Sequence, residues 1–587
     1  MPTSFAPLYT VTLIIFLVIV LYKDLVRPSM AFISVALLLV MGGVISVDEF
    51  LLGLSNKQII VIFLLIILTA GIQKNIGVGF FYRIFNKGLS ERNFRVKLML
   101  FVGGLSAMLN NTPIVAFMIP YVKDWAESNK YAASKFLIPL SYATILGGTI
   151  TVIGTSTNLV LNGLIGQYGL QLLGFTDFLF LGLLVAVAGV IYLSIASGSL
   201  LPDRKENKEE IYQHLNQYLI ETYVEKNSRL IGRSVKEAGL RSLKEMYLAE
   251  ISREGKSITP VSPDEIIEDG DRLFFAGNTK AILTLIQDEN GLYIPEESYV
   301  ARNGYFQLIE AVVPSSSNLI GIKIKNSDFR NRYQASIISI YRKGEQLKGN
   351  IGETKVQAGD LFLMLSGGKS ASDNIKDLII ITQQGEIKKQ ENTSSFTPSI
   401  IAILALIAGI VGFIDLFMAA MVGIFILFLC KSIDVGLVRK AIDVDLLAIL
   451  VSSLAIGIAL ENSGAANFLV EKILHLSSGC SLIFSISLLY LITLLLTSLI
   501  TNAAAVSIMF PIAMEMGGQL GAPLTPFFVA IAFAASGDFM TPIGYQTNLM
   551  VMGPGNYKFK DYFKVGLPLT FIYTIISLLF INFYYLS

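Results

Sequence analysis

The same short word is written twice in this chain, in two hydrophobic halves, at places where a membrane helix would have to break. Its first copy runs Asn110-Asn111-Thr112-Pro113 to Pro120 and then Gly154-Thr155-Ser156-Thr157-Asn158. Its second runs Thr501-Asn502-Ala503 to Pro511 and then Gly544-Tyr545-Gln546-Thr547-Asn548. Asn111 and Pro120 return as Asn502 and Pro511 at an offset of 391, and Gly154 and Asn158 as Gly544 and Asn548 at 390. Polar breaks carrying Gly and Pro at matching positions of two apolar halves point to a transporter binding site near the bilayer midplane.

Composition supports a membrane protein. With 587 residues, 53% hydrophobic and 15% charged, the chain is too apolar for a soluble enzyme and too long for one domain. The net charge of +1 gives no reason to expect nucleic acid as a partner. Cys430 and Cys480 sit in hydrophobic segments without metal-ligand spacing, and His214 and His475 are too few for a histidine metal centre, so neither a disulfide framework nor zinc is expected. The N-terminus lacks the basic region and cleavage site of a signal peptide, so Thr10 to Tyr22 reads as a retained first span. No nucleophile pairs with a histidine and no phosphate-binding loop is present, so enzymatic catalysis and a bound cofactor are not expected.

Six apolar runs precede a central polar segment and six follow it. In each half the fourth and fifth runs carry the repeated words, so each half reads as three spans, a re-entrant hairpin, a broken helix and a final span. The loop with Lys74, Arg83, Lys87, Arg92, Arg95 and Lys97 is the most basic short loop, which places it in the cytoplasm and the N-terminus outside. A hairpin at 98 to 122 that enters and leaves from the cytoplasm keeps Lys123, Lys130 and Lys135 inside as well; a straight crossing would not. The central segment then falls in the cytoplasm, the second hairpin enters from outside, and the two halves are inverted copies. The expected divisions are 1–201 and 393–587 for the membrane repeats, with 202–292 and 293–392 between them.

The central segment is itself a tandem repeat. Leu230-Ile231-Gly232 matches Leu319-Ile320-Gly321, Ile251 to Gly255 matches Ile340 to Gly344, and Gly270-Asp271 matches Gly359-Asp360, all at an offset of 89. Each copy offers an alternating strand, Met246 to Ser252 or Ser336 to Tyr341, and then a Gly-Asp turn into an apolar strand, Leu273 to Ala276 or Phe362 to Leu365. The pattern resembles the TrkA C-terminal (TrkA-C, or RCK_C) domain, a small α/β module attached to channels and transporters. No Gly-x-Gly-x-x-Gly follows a strand, which argues against a dinucleotide ligand. An unidentified small ligand and a purely assembling role both stay open for the pair.

Charged side chains are nearly absent from the repeated elements: Leu98 to Val122 and Phe136 to Thr176 contain none, and residues 481–552 of the second half contain only Glu515 and Asp538. Such a site can still hold an anion, because a hairpin tip exposes unpaired N–H groups at a helix start, worth roughly half a positive charge each. Asn and Thr cap helices and supply neutral oxygens, and those oxygens with freed carbonyls are hard ligands suited to Na⁺. A lone Asn-Thr in a membrane helix is more often interhelical glue; its duplication with inverted topology favours a transport site. Asp538 has no acidic partner in the first half, where Gly148 aligns with it, and reads as a cation ligand, a proton carrier, a selectivity element or a solvated cavity residue.

The tips Asn110-Asn111-Thr112 and Thr501-Asn502-Ala503 resemble variants of the paired Ser-Asn-Thr motifs of the divalent anion:sodium symporters (solute carrier family 13). Gly154 to Asn158 and Thr541 to Asn548 resemble the branch of that family with TrkA-C inserts, some members of which move sulfate. The resemblance implies an all-α polytopic membrane protein with inverted repeats, re-entrant hairpins and broken helices, forming a homodimer in the cell membrane and working by an elevator mechanism, with the TrkA-C pair inserted between the repeats. It implies Na⁺ as coupling ion at Asn111, Gly148 and Gly154 and at Asn502, Asp538 and Gly544. It places a small divalent anion among Asn110, Asn111, Thr112, Thr155, Ser156, Thr157, Asn158, Thr501, Asn502, Ala503, Pro542, Gln546, Thr547 and Asn548. Neither tip is Ser-Asn-Thr, and Ser156-Thr157 and Gln546-Thr547 replace the Pro-Pro pair common in carboxylate transporters, so sulfate is expected ahead of di- or tricarboxylates. An ion channel gated by the TrkA-C pair, a transport-derived sensor and an oxyanion antiporter are the rival readings; no carbonyl-filter sequence supports the channel.

Overall fold

A computed structural model describes the chain apart from residues 1–4, 24–25, 53–56, 76–88, 205–218, 241–242, 244–245, 254–255, 259–260, 278–291, 294–306, 315–316, 334, 343–344, 348–350, 367–377, 384–396, 442–443, 477–480 and 543. Arg83 and Lys87 of the basic loop, His214 and Cys480 lie outside the described residues.

Apolar helices occupy both ends of the sequence and recur in the same order. The first half contains α1 (Ala6–Tyr22), α2 (Pro28–Met41), α3 (Val47–Leu52), α4 (Lys57–Asn75), α5 (Glu91–Ser106), α6 (Asn111–Ser128), α7 (Leu137–Gly148), α8 (Ser156–Gln167) and α9 (Phe175–Leu200). The second contains α10 (Thr397–Val411), α11 (Leu416–Leu429), α12 (Val435–Ala441), α13 (Val444–Asn462), α14 (Ala465–Leu476), α15 (Leu482–Thr497), α16 (Asn502–Gln519), α17 (Thr525–Ser536), α18 (Gln546–Met552) and α19 (Phe559–Tyr585). Among the described residues α9, α13 and α19, with 26, 19 and 27 residues, are long and apolar enough to cross a membrane.

Packing repeats with the order. α2 lies on α13 as α11 lies on α4, and α5 lies on α7 as α15 lies on α17. Each half also contributes to the other: α16 packs on α8, α6 on α18, and α9 on α19. α7 is buried at every position, as expected of a helix that is apolar all round and enclosed by others. By contrast α9 and α19 turn Phe180, Ile191, Ile195, Phe571 and Phe583 outward, an apolar exposure that suits lipid.

The first repeated word sits on a chain reversal. Phe94, near the start of α5, stacks on Trp125, near the end of α6, with ring centroids 3.5 Å apart. At the other ends of the two helices Ser106 bonds to Asn111. Both pairs of ends adjoin, so the two arms run antiparallel as a hairpin. The second hairpin is built alike: α15 packs on α16 across the turn at residues 498–501, and Thr497 bonds to Asn502.

Between the halves stand two five-stranded antiparallel sheets, ordered β3-β2-β4-β1-β5 and β10-β6-β9-β7-β8. Read from opposite ends these are one topology, with β1 (Leu219–Val224), β2 (Met246–Arg253), β3 (Lys256–Ile258), β4 (Arg272–Gly277) and β5 (Leu292–Tyr293) matched by β6 (Gln307–Val312), β7 (Ala335–Arg342), β8 (Glu345–Gln346), β9 (Leu361–Ser366) and β10 (Ile379–Gln383). The alternating strands and Gly-Asp turns read from the sequence fall on β2, β7, β4 and β9. Tyr293 pairs with Tyr223, so the first sheet extends one residue past position 292. Even the irregularities repeat, with a bulge between Leu248 and Glu250 and another between Ile337 and Ser339. Gly270 and Gly359 enter β4 and β9 at φ +80 and +81, a conformation glycine adopts without penalty.

Each Gly-Asp turn places a fully buried carboxylate under an arginine. Asp271 accepts from Arg253 Nε and Nη2 at 2.8 and 2.9 Å, and Asp360 from Arg342 Nε and Nη2 at 2.7 and 2.8 Å. Arg253 also reaches Glu268 at 2.8 Å, whereas the further bond of Arg342 is to the carbonyl of Lys355. Removal of one partner from a buried pair costs about 3 kcal/mol. Asp360→Ala should therefore weaken the second sheet by about that much and Asp271→Ala the first by less, read as the temperature at which each unit becomes cleavable in limited proteolysis of the full chain.

Candidate functional site

The residues around each tip form the same network twice. Ser106, the last residue of α5, donates from Oγ to Thr144 O at 2.8 Å and adjoins the Asn111 amide; Thr497, the last residue of α15, lies 2.9 Å from Ala535 O and 2.7 Å from Asn502 Oδ1. In the broken helices Gly154 N donates to Thr151 Oγ1 and Gly544 N to Thr541 Oγ1, both at 3.1 Å. Asn158 Nδ2 donates to Thr151 O at 3.0 Å and Asn548 Nδ2 to Thr541 O at 3.2 Å. Exposure repeats too: Asn110 and Thr501 are exposed, Asn111 and Asn502 buried, Ser156 and Gln546 half-buried, and Thr157 and Thr547 buried.

Oxygens crowd the inner side of each tip. The inner amide atom of Asn111 lies 3.2 Å from the carbonyl oxygens of Thr144 and Gly154 and beside Ser106 Oγ. Turned nitrogen-inward, this amide shares its two N–H groups among the three. Turned oxygen-inward, it completes a cage of oxygens alone, the environment of a hard cation. Gly148 closes the cage: a Cβ there would sit 2.8 Å from Asn111 Oδ1 and 3.0 Å from Gly154 O. In the second half Asp538 takes the place of Gly148. Its carboxylate, fully buried, accepts from Thr541 Oγ1 at 2.8 Å and from Met540 N at 3.2 Å. It abuts Gly544, whose Cβ would collide with Asp538 Oδ2 and lie 3.2 Å from Thr497 O. The two cages share a plan and differ by one formal charge.

Between them the halves touch. Thr112 Oγ1 is 3.3 Å from Gln546 Oε1, and Ser141 Oγ donates to Asn548 Oδ1 at 2.7 Å. The buried Tyr545 hydroxyl, with no hydrogen-bond partner among the described residues, lies near the side chains of Thr155, Ser536 and Asn502, where a loop of the first half approaches the tip and broken helix of the second. Four helix starts, those of α6, α8, α16 and α18, are thereby gathered in one region, with Thr155 capping α8 and Thr501 capping α16. Each start carries a partial positive charge, so together they can balance an anion without a single Lys or Arg.

Of the residues singled out in the sequence, Asn110, Asn111, Thr112, Thr155, Ser156, Thr501, Asn502 and Gln546 lie at the helix starts that meet here. Ala503 and Pro542 are buried beside them. Asn158 and Asn548 spend their amides on carbonyls within their own broken helices, which sets the shape of those loops. Thr157 approaches Thr155 at 3.3 Å, and the Thr547 hydroxyl is buried with no hydrogen-bond partner among the described residues. Ser106, Thr497, Thr144, Ser141 and Tyr545 were not singled out. Ser106 and Thr497 share the offset of 391 with Asn111 and Asn502, which is the signal that marks them.

A family profile described as citrate transporter matches residues 12–522 and 403–587. The chain belongs to the citrate transporter family. It is accordingly a membrane transporter of anions and not an enzyme, the class its resemblance implied. Among curated relatives, an uncharacterized transporter of Synechocystis sp. is 32% identical over 98% of this chain and 97% of its own length. A Chlamydomonas reinhardtii protein whose name assigns it to the sulfur deprivation response is also 32% identical, over 94% of this chain and 98% of its own. Sodium/sulfate cotransporter 2 of the same alga is 22% identical over 94% of this chain and 86% of its own.

Proposed function

We propose that this transporter is a sodium-coupled symporter of a small divalent anion, sulfate first, with Na⁺ held in the two oxygen cages and the anion between them. The observation that carries this reading is the doubled network of Ser106, Asn111 and Thr144 O against Thr497, Asn502 and Ala535 O. An arrangement of uncharged side chains kept twice over is suited to ions on both sides of one substrate. Asn110, Thr112, Thr155, Ser156, Thr501 and Gln546, with the backbone N–H groups at their helix starts, face the anion in this reading. Gly148, Gly154, Asp538 and Gly544 shape the cation cages. Sulfate enters from the names of two relatives and from Ser156-Thr157 and Gln546-Thr547 standing where carboxylate transporters commonly have Pro-Pro; the family's description keeps di- and tricarboxylates as the second cargo.

Coupling has an electrical reason. A dianion entering against roughly 100 mV is opposed by about 4.6 kcal/mol, since each elementary charge is worth about 2.3. Two Na⁺ ions make the cycle neutral and a third drives it inward, while bound Na⁺ supplies the positive charge the side chains lack. The inverted order of the halves, with hairpins opening to opposite sides and an elevator movement in a homodimer, belongs to the same proposal. Uptake of labelled sulfate, succinate and citrate into proteoliposomes tests it. Sulfate should accumulate only with an inward sodium gradient; accumulation of citrate alone would reassign the cargo, and uptake indifferent to sodium would remove the coupling.

A further inference from the structure

The second β unit is not a detached appendage, for it is seated on the two helices that carry Thr112 and Gln546. Glu310 on β6 pairs with Lys123 on α6 at 2.8 Å, with both side chains largely buried. Leu361 on β9 lies against Gly553, just past α18, where a Cβ would come within 3.0 Å of the Leu361 Cβ. Leu549 of α18 fills the space beside Gly359. Val312 and Ile381 of this unit are buried in the same apolar core as the membrane helices, whereas the first unit keeps a core of its own. The contact therefore spans one end of the α6 and α18 pair, and the opposite end of the pair is where Thr112 meets Gln546.

We propose that the second β unit is an autoinhibitory clamp: docked as here, it holds α6 against α18, keeps the tip of the first hairpin closed over the site, and opens that tip when it lets go. The proposal rests on the transport reading and adds its regulation. The chain geometry gives the reason. α6 is one arm of a hairpin that packs back on its own side, and a hairpin opens by moving one arm away from what it leans on. Here the arm leans on α18, and a buried ion pair with an apolar seat ties both to a third body. Opening the tip while the unit is docked would either break the Lys123–Glu310 pair, if the unit stays on α18, or strip Leu549 from Gly359 and expose Leu361, if it follows α6. Undocking removes all three obstacles together.

Paired cysteines test the clamp in the full chain. The 3.0 Å approach of Cβ positions 361 and 553 is close to the roughly 3.5–4.5 Å of a disulfide, so Leu361→Cys with Gly553→Cys, in a Cys430→Ser/Cys480→Ser background, should cross-link on oxidation. Oxidation should slow sodium-driven sulfate uptake by about fivefold or more, the low end of coupling between linked sites, and reductant should restore it. A readout independent of cargo is the alkylation rate at an added Thr112→Cys, half-buried where α6 meets α18, followed by peptide mass spectrometry in detergent; it should slow by a similar factor on cross-linking. Lys123→Glu should speed both processes, and Lys123→Glu with Glu310→Lys should return them to the starting rates, which a merely structural role for Lys123 would not produce. Equal alkylation at position 112 in the oxidised and reduced protein, or failure of the disulfide to form in the folded chain, would overturn the clamp. Absence of sulfate uptake with normal control of alkylation would instead overturn the cargo assignment and leave the clamp standing.

Discussion

Asn502→Ala and Asn111→Ala should each lower sodium-driven anion uptake by about 100-fold, with the protein still folded. A hydrogen-bonding or ligating group directed at a charge is worth about 1.5–3 kcal/mol, a factor of roughly 10 to 150, whereas an ordinary internal hydrogen bond contributes only about 1 kcal/mol to stability. In the proposed reading each asparagine makes both kinds of contact, so its removal should affect transport far more than melting temperature. The alanine variants should elute as the wild type does on size exclusion and melt within a few degrees of it. Wild-type uptake in both would remove the tips from the site. The second cage contains Asp538 and the first does not, so the sodium dependence of any residual uptake should differ between the two variants.

Gly544→Ala and Gly154→Ala should be nearly as damaging, for a steric reason. A Cβ at Gly544 would collide with Asp538 Oδ2, and one at Gly154 would sit 2.5 Å from Gly148 O and 2.8 Å from Ser106 O. Neither backbone can yield without spreading its cage, and overpacking of this kind costs about 1–3 kcal/mol. If the cost falls on the ion-bound state, uptake drops by roughly 5- to 150-fold. Gly104→Ala, on the arm leading to the first tip, meets nothing within 4 Å and is the control. Its uptake should match the wild type, and a loss there equal to that at Gly154 would argue for general disturbance of the hairpin.

Much of this was legible in the sequence because polar residues are conspicuous in apolar segments. Asn111 and Asn502, with the Pro and Gly breaks that follow, have no place in an ordinary span, and their common register placed both hairpins and both broken helices. The tandem β units were legible through Gly270-Asp271 and Gly359-Asp360, where the positive φ and the buried carboxylate both constrain the residue type. Ser106 and Thr497 were harder to see, since one hydroxyl in a membrane helix is unremarkable until its partners are known. Ser141 with Asn548, Tyr545 with Thr155, and Lys123 with Glu310 were out of reach, because each joins residues far apart in the chain whose meeting is decided by tertiary packing. Asn158 and Asn548 turn their amide N–H groups to the carbonyls of Thr151 and Thr541, seven residues back, a local bond that the residue type alone does not reveal.

Two oxygen cages filling with sodium around one dianion would carry both ions together, and both can be counted in the same vesicles. Proteoliposomes given radioactive sodium and radioactive sulfate should take up at least two Na⁺ per sulfate, with uptake rising sigmoidally in sodium and vanishing when potassium replaces it. Sulfate entry at an unchanged rate in potassium, or with no accompanying sodium, would contradict the account.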